Sequence, residues 1–355
     1  MTELKPQDIR VLHIVDKLVP ASGVASVIMN LVEYSDCKQD VVAYSDIDPS
    51  MKERVEKRGG RVYKVTDIRA DFGKSFKCDI SAVYEQTKYS VVHGHLLNSA
   101  YIYMKEAKKR GVPVRVIHSH SANTANSMLK RIRNDALKTG IPRWANVFIA
   151  GSEKAAQRAL GNRSVHIVRN GIDTERFKYN NEIRTAVRNE LGIKDKDICI
   201  GSVARFSPEK NHQFMFKVLE NTPDAVGVFA GVSGMPDAVN VPRNVKFIGM
   251  YDDISRLYQA FDVFVLPSLF EGFPVVAVEA QCAGLPCLIS DSITEEVDFS
   301  GNVTFLPIDD PNVWAAKILE ATKRKRTDGS EIAAKAGMDI RVTSRIIEKL
   351  WRLGE

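Results

Sequence analysis

The residues best suited to chemistry lie between 266 and 281. There the chain reads Leu266-Pro-Ser-Leu-Phe-Glu271-Gly272-Phe273-Pro274 and continues from Val275 to Gln281. An apolar run ends at Pro267, a short loop carries a carboxylate and a glycine, and a helix is expected to begin near Pro274, because proline suits a first turn. The free amides of such a helix start, backed by its dipole, form an anion site of phosphate size. Glu279 follows Glu271 in an E-x7-E spacing, about two helical turns on. A plain strand–helix junction is the alternative, but a Glu-Gly-Phe-Pro loop lacks the polarity of an ordinary linker. Arg205 and Lys210 follow another apolar run, Ile198–Ala204. Two fixed cations there would neutralise a diphosphate leaving group without a metal ion, although a charged loop after a strand is also a common surface feature.

His118 and His120 stand two apart at an expected strand end and so share one face. His93 and His95 repeat that spacing. Four histidines near one rim are a zinc-ligand type, yet no neighbouring carboxylate or cysteine completes a set. Buried, hydrogen-bonded histidines are the other reading. Asp46-Ile47-Asp48 is a DxD triplet of the manganese-binding sort, but it falls away from the Glu271 loop and is discounted. No GxxxxGK[ST] loop and no GxGxxG fingerprint occurs, which weighs against ATPase and dehydrogenase chemistry.

The elements that must position these groups alternate along the whole chain. Strands are expected at Arg10–Val15, Asp40–Ser45, Arg61–Val65, Ser90–His93, Pro113–His118, Asn146–Ala150 and Val165–Arg169. They recur at Ile198–Ala204, Gly227–Ala230, Val245–Ile248, Val263–Pro267, Pro286–Ser290 and Thr304–Leu306. Helical patterns such as Gly23–Tyr34, Ser99–Arg110, Ser152–Leu160 and Asn181–Leu191 separate them. This alternation implies βαβ units and parallel sheets in an α/β protein. At 355 residues two doubly wound domains are the natural division, with the break between Asn170 and Asp197, where the turn Asn170-Gly171-Ile172-Asp173 precedes the charged stretch Asn181–Leu191. Ligands of such sheets bind outside the carboxyl ends of the strands, so two facing domains would form a cleft there.

Hydrophobic residues make up 44% and charged residues 26%, the balance of a soluble enzyme. The polar stretch from Met1 to Arg10 has no apolar run of the secretory type. Five scattered cysteines without a CxxC pair suggest reduced thiols and a cytoplasmic setting. The net charge of +6 is uneven: 28 Lys and Arg against 18 Asp and Glu up to Asp173, then 22 against 26. A basic first half suits an anionic partner, either nucleic acid or a membrane surface, although a solvated charged face is as reasonable. Ser127–Lys138 sets Leu129, Ile132, Ala136 and Leu137 among Lys130, Arg131, Arg133 and Lys138. Such a stretch either packs on its own sheet or lies on an anionic bilayer, and the basic half favours the bilayer.

Taken in order, Ser22-Gly23-Val24, His118-Ser119-His120, Asn170-Gly171-Ile172-Asp173, Gly201 to Asn211, Asp262 to Ser268, the Glu271 loop and Ala283-Gly284-Leu285-Pro286 resemble the signature of the retaining GT-B glycosyltransferases of family 4. The resemblance spans nearly the whole chain. It implies two Rossmann-like doubly wound domains facing across a cleft: an acceptor-side domain at 1–175, a donor-binding domain at 176–339, and a last helix at about 340–355 packed back on the first. It further implies transfer of a hexose or N-acetylhexosamine from a nucleoside-diphosphate sugar, UDP-linked rather than GDP-linked. The acceptor would be a hydroxyl of a saccharide, lipid-linked, in surface polysaccharide synthesis at the inner face of a membrane. No nucleic acid, cofactor or metal is implied.

On this resemblance His118, Arg205, Lys210 and Glu271 are the catalytic residues. Gly23, Arg205, Lys210, Gly272, Phe273, Pro274, Val275 and Glu279 hold the donor. His118 lines the sugar and acceptor site, with His95 and His120 on the acceptor side. Glu279 accepts from both ribose hydroxyls, and Phe247–Asp253 wall the base. Where many relatives have Gly-Gly and then an acidic residue, this chain has Ser22-Gly23 and Ala25. A partner subunit without catalysis, an epimerase and a phosphorylase are the alternatives on the same fold.

Overall fold

A computed structural model describes residues 6–20, 22–120, 143–161, 163–231 and 240–354. The chain divides into two compact units, Met1–Gly171 with Ile340–Glu355, and Ile172–Asp339. The division falls at Gly171/Ile172, ahead of 175/176. The reason is local: Ile172 is buried in the core of the second unit and bridges to Asp339, while Asp173 caps the helix that follows.

The first unit carries a parallel sheet of β1 (Arg10–Val15), β2 (Lys38–Ala43), β3 (Val62–Lys64), β4 (Val91–Gly94), β5 (Val114–Ser119), β6 (Val147–Ala150) and β7 (His166–Ile167). Its spatial order is β3-β2-β1-β4-β5-β6-β7. The helices described between them are α1 (Gly23–Tyr34), α2 (Pro49–Lys57), α3 (Lys74–Gln86), α4 (Ala100–Lys109) and α5 (Glu153–Leu160). Strands such as β1 and β4 are buried on both faces, as a sheet covered by helices requires. Local chemistry sets the helix starts. Ser22 Oγ accepts from the Ala25 amide at 3.4 Å, and Ser152 Oγ accepts from Ala155 at 3.2 Å. The expected strand Asp40–Ser45 begins two residues earlier, and Val165–Arg169 shrinks to β7.

The second unit opens with α6 (Thr174–Phe177) and α7 (Asn181–Glu190). Then come β8 (Ile198–Val203), α8 (His212–Glu220), β9 (Ala225–Ala230), β10 (Val245–Gly249), α9 (Ile254–Ala260), β11 (Val263–Leu266) and α10 (Val275–Cys282). It closes with β12 (Cys287–Ser290), β13 (Val303–Leu306), α11 (Pro311–Ala321) and α12 (Ser330–Lys335). Its parallel sheet runs β10-β9-β8-β11-β12-β13. Gly201 in β8 allows close packing, since a Cβ there would meet the Phe261 ring at 2.1 Å.

The last helix, α13 (Ile340–Leu353), belongs to the first unit. Its Ile347, Leu350 and Trp351 join Ile9, Val11, Val27 and Leu31 in one core cluster, and Glu348 accepts from the Asp36 amide at 2.8 Å. The basic stretch Ser127–Lys138 lies outside the described residues. Among the described residues no helix is long and apolar enough to cross a membrane.

In each sheet the strand order reverses once, between β1 and β4 in the first unit and between β8 and β11 in the second. Such switch points leave a crevice at the carboxyl ends of the flanking strands, because the helices after them leave on opposite faces.

Candidate functional site

In the second unit the residues singled out by sequence gather at that crevice. β8 ends at Val203 and leads through Arg205 into a single 3-10 turn, Pro208–Lys210. Asn211 follows in the left-handed region at φ 53°, which asparagine tolerates, and α8 begins at His212. β11 leads into the Glu271 loop, which is tied to the first segment by the Leu269 amide donating to Glu209 O at 2.8 Å. The two segments meet in an ion pair: Lys210 Nζ donates to Glu271 Oε1 at 2.5 Å, with both side chains largely enclosed. Arg205 pairs with Glu209 at 3.2 Å in a more exposed position. Arg205 and Lys210, expected as two fixed cations, are each matched by a carboxylate. A cation held in a partly enclosed position gains from a neighbouring counter-charge.

α10 starts after Pro274, which is its N-cap and not its first helical residue. The amides of the first turn lack intrahelical partners, so Val275 stands where an anion gains most. Phe273 and Pro274 are buried, and the Phe273 ring belongs to the core. Any ligand contact from Phe273 is thus through its backbone. Phe247 lies half-buried inside β10, edge-on to Phe216 and with Phe229 beside it.

Glu279, one turn into α10, accepts from Tyr258 Oη at 2.8 Å. Burial raises its pKa to about 7, against the Tyr258 hydrogen bond and the charge of Arg176, which lower it. Tyr258 was not legible as a site residue. An apolar helix position facing the E-x7-E carboxylate was the only signal.

In the first unit, the switch point is built from histidines. The chain has seven, and five of them, His13, His93, His95, His118 and His120, form one cluster at and just beyond the strands β1, β4 and β5. His13 pairs in register with His93 across β1 and β4. It was missed by sequence reasoning because it sits mid-strand, where a histidine reads as one polar interruption. Its coincidence with the other strand-end histidines was the available signal. Burial pushes His13 and His120 down to about 4, and holds His93, His95 and His118 well below the ordinary histidine range. All five are neutral at pH 7.

Two overlapping triads, His13/His93/His95 and His95/His118/His120, each place one ring nitrogen per residue within 4.8 Å of the others, the spacing of a metal-ligand set. Gly23, the first residue of α1, has no atom within 4 Å of where a Cβ would sit, and its φ is not in the left-handed region. Nothing described in the unit itself requires glycine there. Ser22 replaces one glycine of the related pattern by a helix cap. Asp48, in the DxD triplet, is also a cap: its Oδ1 accepts from the Ser50 and Met51 amides at 3.0 and 3.1 Å.

Comparison with known proteins places the chain in a family. Residues 21–176 match the family model "Glycosyltransferase Family 4" and residues 183–331 match "Glycosyl transferases group 1". EpsF, a protein of Bacillus subtilis (strain 168) that is named as a glycosyltransferase, is 33% identical over 93% of both chains. An Escherichia coli enzyme named UDP-Gal:alpha-D-GlcNAc-diphosphoundecaprenol alpha-1,3-galactosyltransferase is 27% identical over 58% of this chain and 59% of its own. Among solved structures, HepE of Anabaena in complex with UDP-glucose superposes with a TM-score of 0.78 at 19% identity, over 96% of this chain and 99% of that one. That likeness shows the fold, the GT-B type with two parallel-sheet Rossmann-like units. With both units matched and a relative of this identity over nearly its full length, the chain belongs to glycosyltransferase family 4 and is a glycosyltransferase.

Proposed function

We propose that the protein is a retaining enzyme that moves a hexose or N-acetylhexosamine from a UDP-sugar to a hydroxyl of a lipid-linked saccharide in surface polysaccharide synthesis. The carrying observation is the gathering of Arg205, Lys210, Glu271, Glu279 and the α10 start at the switch point of the second sheet. In this reading the donor diphosphate takes over Lys210 from Glu271, with Arg205 and the Val275 amide completing its neutralisation. Glu271 is thereby released to accept from hexose hydroxyls. Glu279 accepts from the ribose while Tyr258 holds its other side. The bond from the anomeric carbon to the diphosphate breaks, the acceptor oxygen bonds to that carbon on the same face, and the acceptor proton passes to the departing diphosphate. His118 lines the sugar and acceptor region, His95 and His120 lie on the acceptor side, and Gly23 admits the donor phosphates. Charge neutralisation comes from side chains and amides, with no metal ion.

The UDP-glucose complex of HepE and the diphospho-lipid acceptor in the name of the E. coli relative support the choice of donor and acceptor. The test is a transfer assay over UDP- and GDP-sugars with an undecaprenyl-diphosphate saccharide, in EDTA, with the anomeric configuration read by NMR. Transfer from a UDP-sugar with retention in chelator is expected. Transfer from GDP-sugars alone, inversion, or a strict need for manganese each overturns the corresponding part.

A further inference from the structure

The five histidines of the first unit are joined in two separate relays, and the partners at their inner ends fix where every ring proton sits. The first relay begins at Gln39. Its Nε2 donates to Leu31 O at 2.8 Å, so its Oε1 is the atom that faces His13 Nε2, also at 2.8 Å. His13 Nε2 therefore carries the proton, and His13 Nδ1 is bare. His95 Nε2 lies 3.1 Å from that bare nitrogen and must donate to it. His95 Nδ1 is then bare, and His120 Nε2 donates to it at 2.7 Å. The relay ends on His120 Nδ1, a buried acceptor with no partner among the described residues.

The second relay begins at Trp351, whose indole nitrogen can only donate. It donates to His93 Nδ1 at 3.3 Å. His93 Nε2 then carries the proton and donates to His118 Nδ1 at 3.2 Å. This relay ends on His118 Nε2–H, a buried donor with no partner among the described residues. The two terminal rings lie 4.0 Å apart between centroids.

A lone donor beside a lone acceptor selects its ligand. A carboxylate or phosphate only accepts and meets the bare His120 Nδ1. An ammonium only donates and meets the His118 N–H. A zinc ion needs lone pairs from both. His118 can free Nε2 only by moving its proton to Nδ1, against the His93 N–H. His93 can yield only by moving its own proton against the Trp351 N–H. A neutral hydroxyl both accepts and donates. We propose that Gln39 and Trp351 are positioning residues that act through the two relays to hold His118 Nε2 as a donor beside His120 Nδ1 as an acceptor, a polarity matched to one neutral hydroxyl of the saccharide substrate. That the hydroxyl is a sugar's rests on the function proposed above; the proton placement does not.

The experiment is two-bond 1H–15N NMR on the full chain with ring-15N histidine at pH 7.5. All five rings are expected neutral with the proton on Nε2. Trp351→Phe should let His93 and His118 populate the Nδ1–H form while His13, His95 and His120 keep theirs. Gln39→Met should do the reverse. Damage to packing alone would not produce that crosswise pattern. UDP-glucose and, separately, octyl glucoside below its micellar concentration are then added. A joint shift of His118 and His120 with the first assigns the hydroxyl to the donor sugar, and with the second to the acceptor. Trp351→Phe should raise KM for that substrate by about tenfold.

An Nδ1–H proton on His118 or His120 in the parent overturns the relays even if neither variant folds. Stoichiometric zinc binding with loss of the His118 N–H, or no shift with either glucoside, overturns the hydroxyl site. Correct tautomers in a chain that transfers no sugar would leave the relays standing and remove the function above; transfer with wrong tautomers does the opposite.

Discussion

The two units use one topology for opposite electrostatics. At the switch point of the second sheet stand Arg205, Lys210, Glu209, Glu271 and Glu279, charges held in pairs or poised near neutrality. At that of the first sheet stand five histidines, four buried and His120 half-buried, all neutral and joined by hydrogen bonds. A parallel sheet with helices on both faces supplies the crevice in either case. The residues at the strand ends decide whether it suits a dianion or an uncharged hydroxyl. In the function proposed above, the ion pairs of the second unit exchange counter-charges when a diphosphate arrives, and the relays of the first unit orient neutral groups.

Acid should break this comparison hardest. A histidine whose pKa is lowered on folding binds fewer protons folded than unfolded, so its contribution is present above the unfolded value of about 6.5 and is lost as pH falls towards the folded one. For His13 and His120 the folded value is about 4, and the loss is roughly 1.4 kcal/mol per residue per pH unit over that window. His93, His95 and His118 act in the same direction. In the second unit only His212, also near 4, does so among the described residues with a resolved shift. Hydrogen exchange at pH 7 and pH 5 should therefore show β1, β4 and β5 losing protection before β8 and β11. Equal loss in both units would remove the distinction.

Next in size is the charge exchange itself. Lys210→Ala and Arg205→Ala should each lower kcat/KM by on the order of 10²-fold or more, the effect of removing a fixed charge from a developing anion. Lys210→Ala also leaves Glu271 without its cation, so its loss should be the greater of the two. Turnover near that of the parent in both variants would show that the diphosphate is held elsewhere.

Much of this architecture was legible in the sequence, and the limits have physical causes. The alternation of β-rich and helical runs located both sheets because covered parallel strands read apolar on both faces. Arg205, Lys210 and Glu271 stood out because charges next to strand ends interrupt that pattern, and Glu279 through its E-x7-E spacing from Glu271. Their ion pairs did not, since Lys210 and Glu271 are joined by folding and not by spacing. Phe273 reads as a loop aromatic and is a core residue, because the turn before α10 rotates it inward. His13, Gln39 and Trp351 escaped notice for the same reason: three distant segments meet only through the order of the sheet and the return of α13.

A smaller effect sharpens the charged side. Burial raises the Glu279 pKa to about 7, above its unfolded value, so the folded chain holds the proton longer and loses stability relative to the unfolded chain as pH rises through that range. The ionised form is the better acceptor for ribose hydroxyls. Affinity for UDP should therefore rise with pH through about 7, while Glu279→Gln should bind about tenfold more weakly and show a flatter profile. Calorimetric titration at pH 6 and pH 8 reads both. A parent profile as flat as the variant's would detach Glu279 from the nucleotide.

The smallest effect asks whether the first unit hides a charged site after all, in Asp46-Ile47-Asp48. Asp48 Oδ1 accepts from the Ser50 and Met51 amides and from Ser50 Oγ, with Pro49 in the first turn of α2. These hydrogen bonds, that from Ser50 foremost, lower its pKa and show a carboxylate already engaged with its own helix. Asp48→Ala should then cost about 1 kcal/mol, the usual worth of an N-cap, and lower the melting temperature by about 2–4 °C. Sugar transfer, with or without added manganese, should be unchanged once the folded fraction is matched. Asp48→Asn should recover most of the stability, since an amide oxygen caps nearly as well. If Asp48→Ala instead abolishes transfer at an unchanged melting temperature, and manganese restores it to Asp48→Asn, the triplet binds metal. The division of labour between a neutral unit and a charged one would then be false.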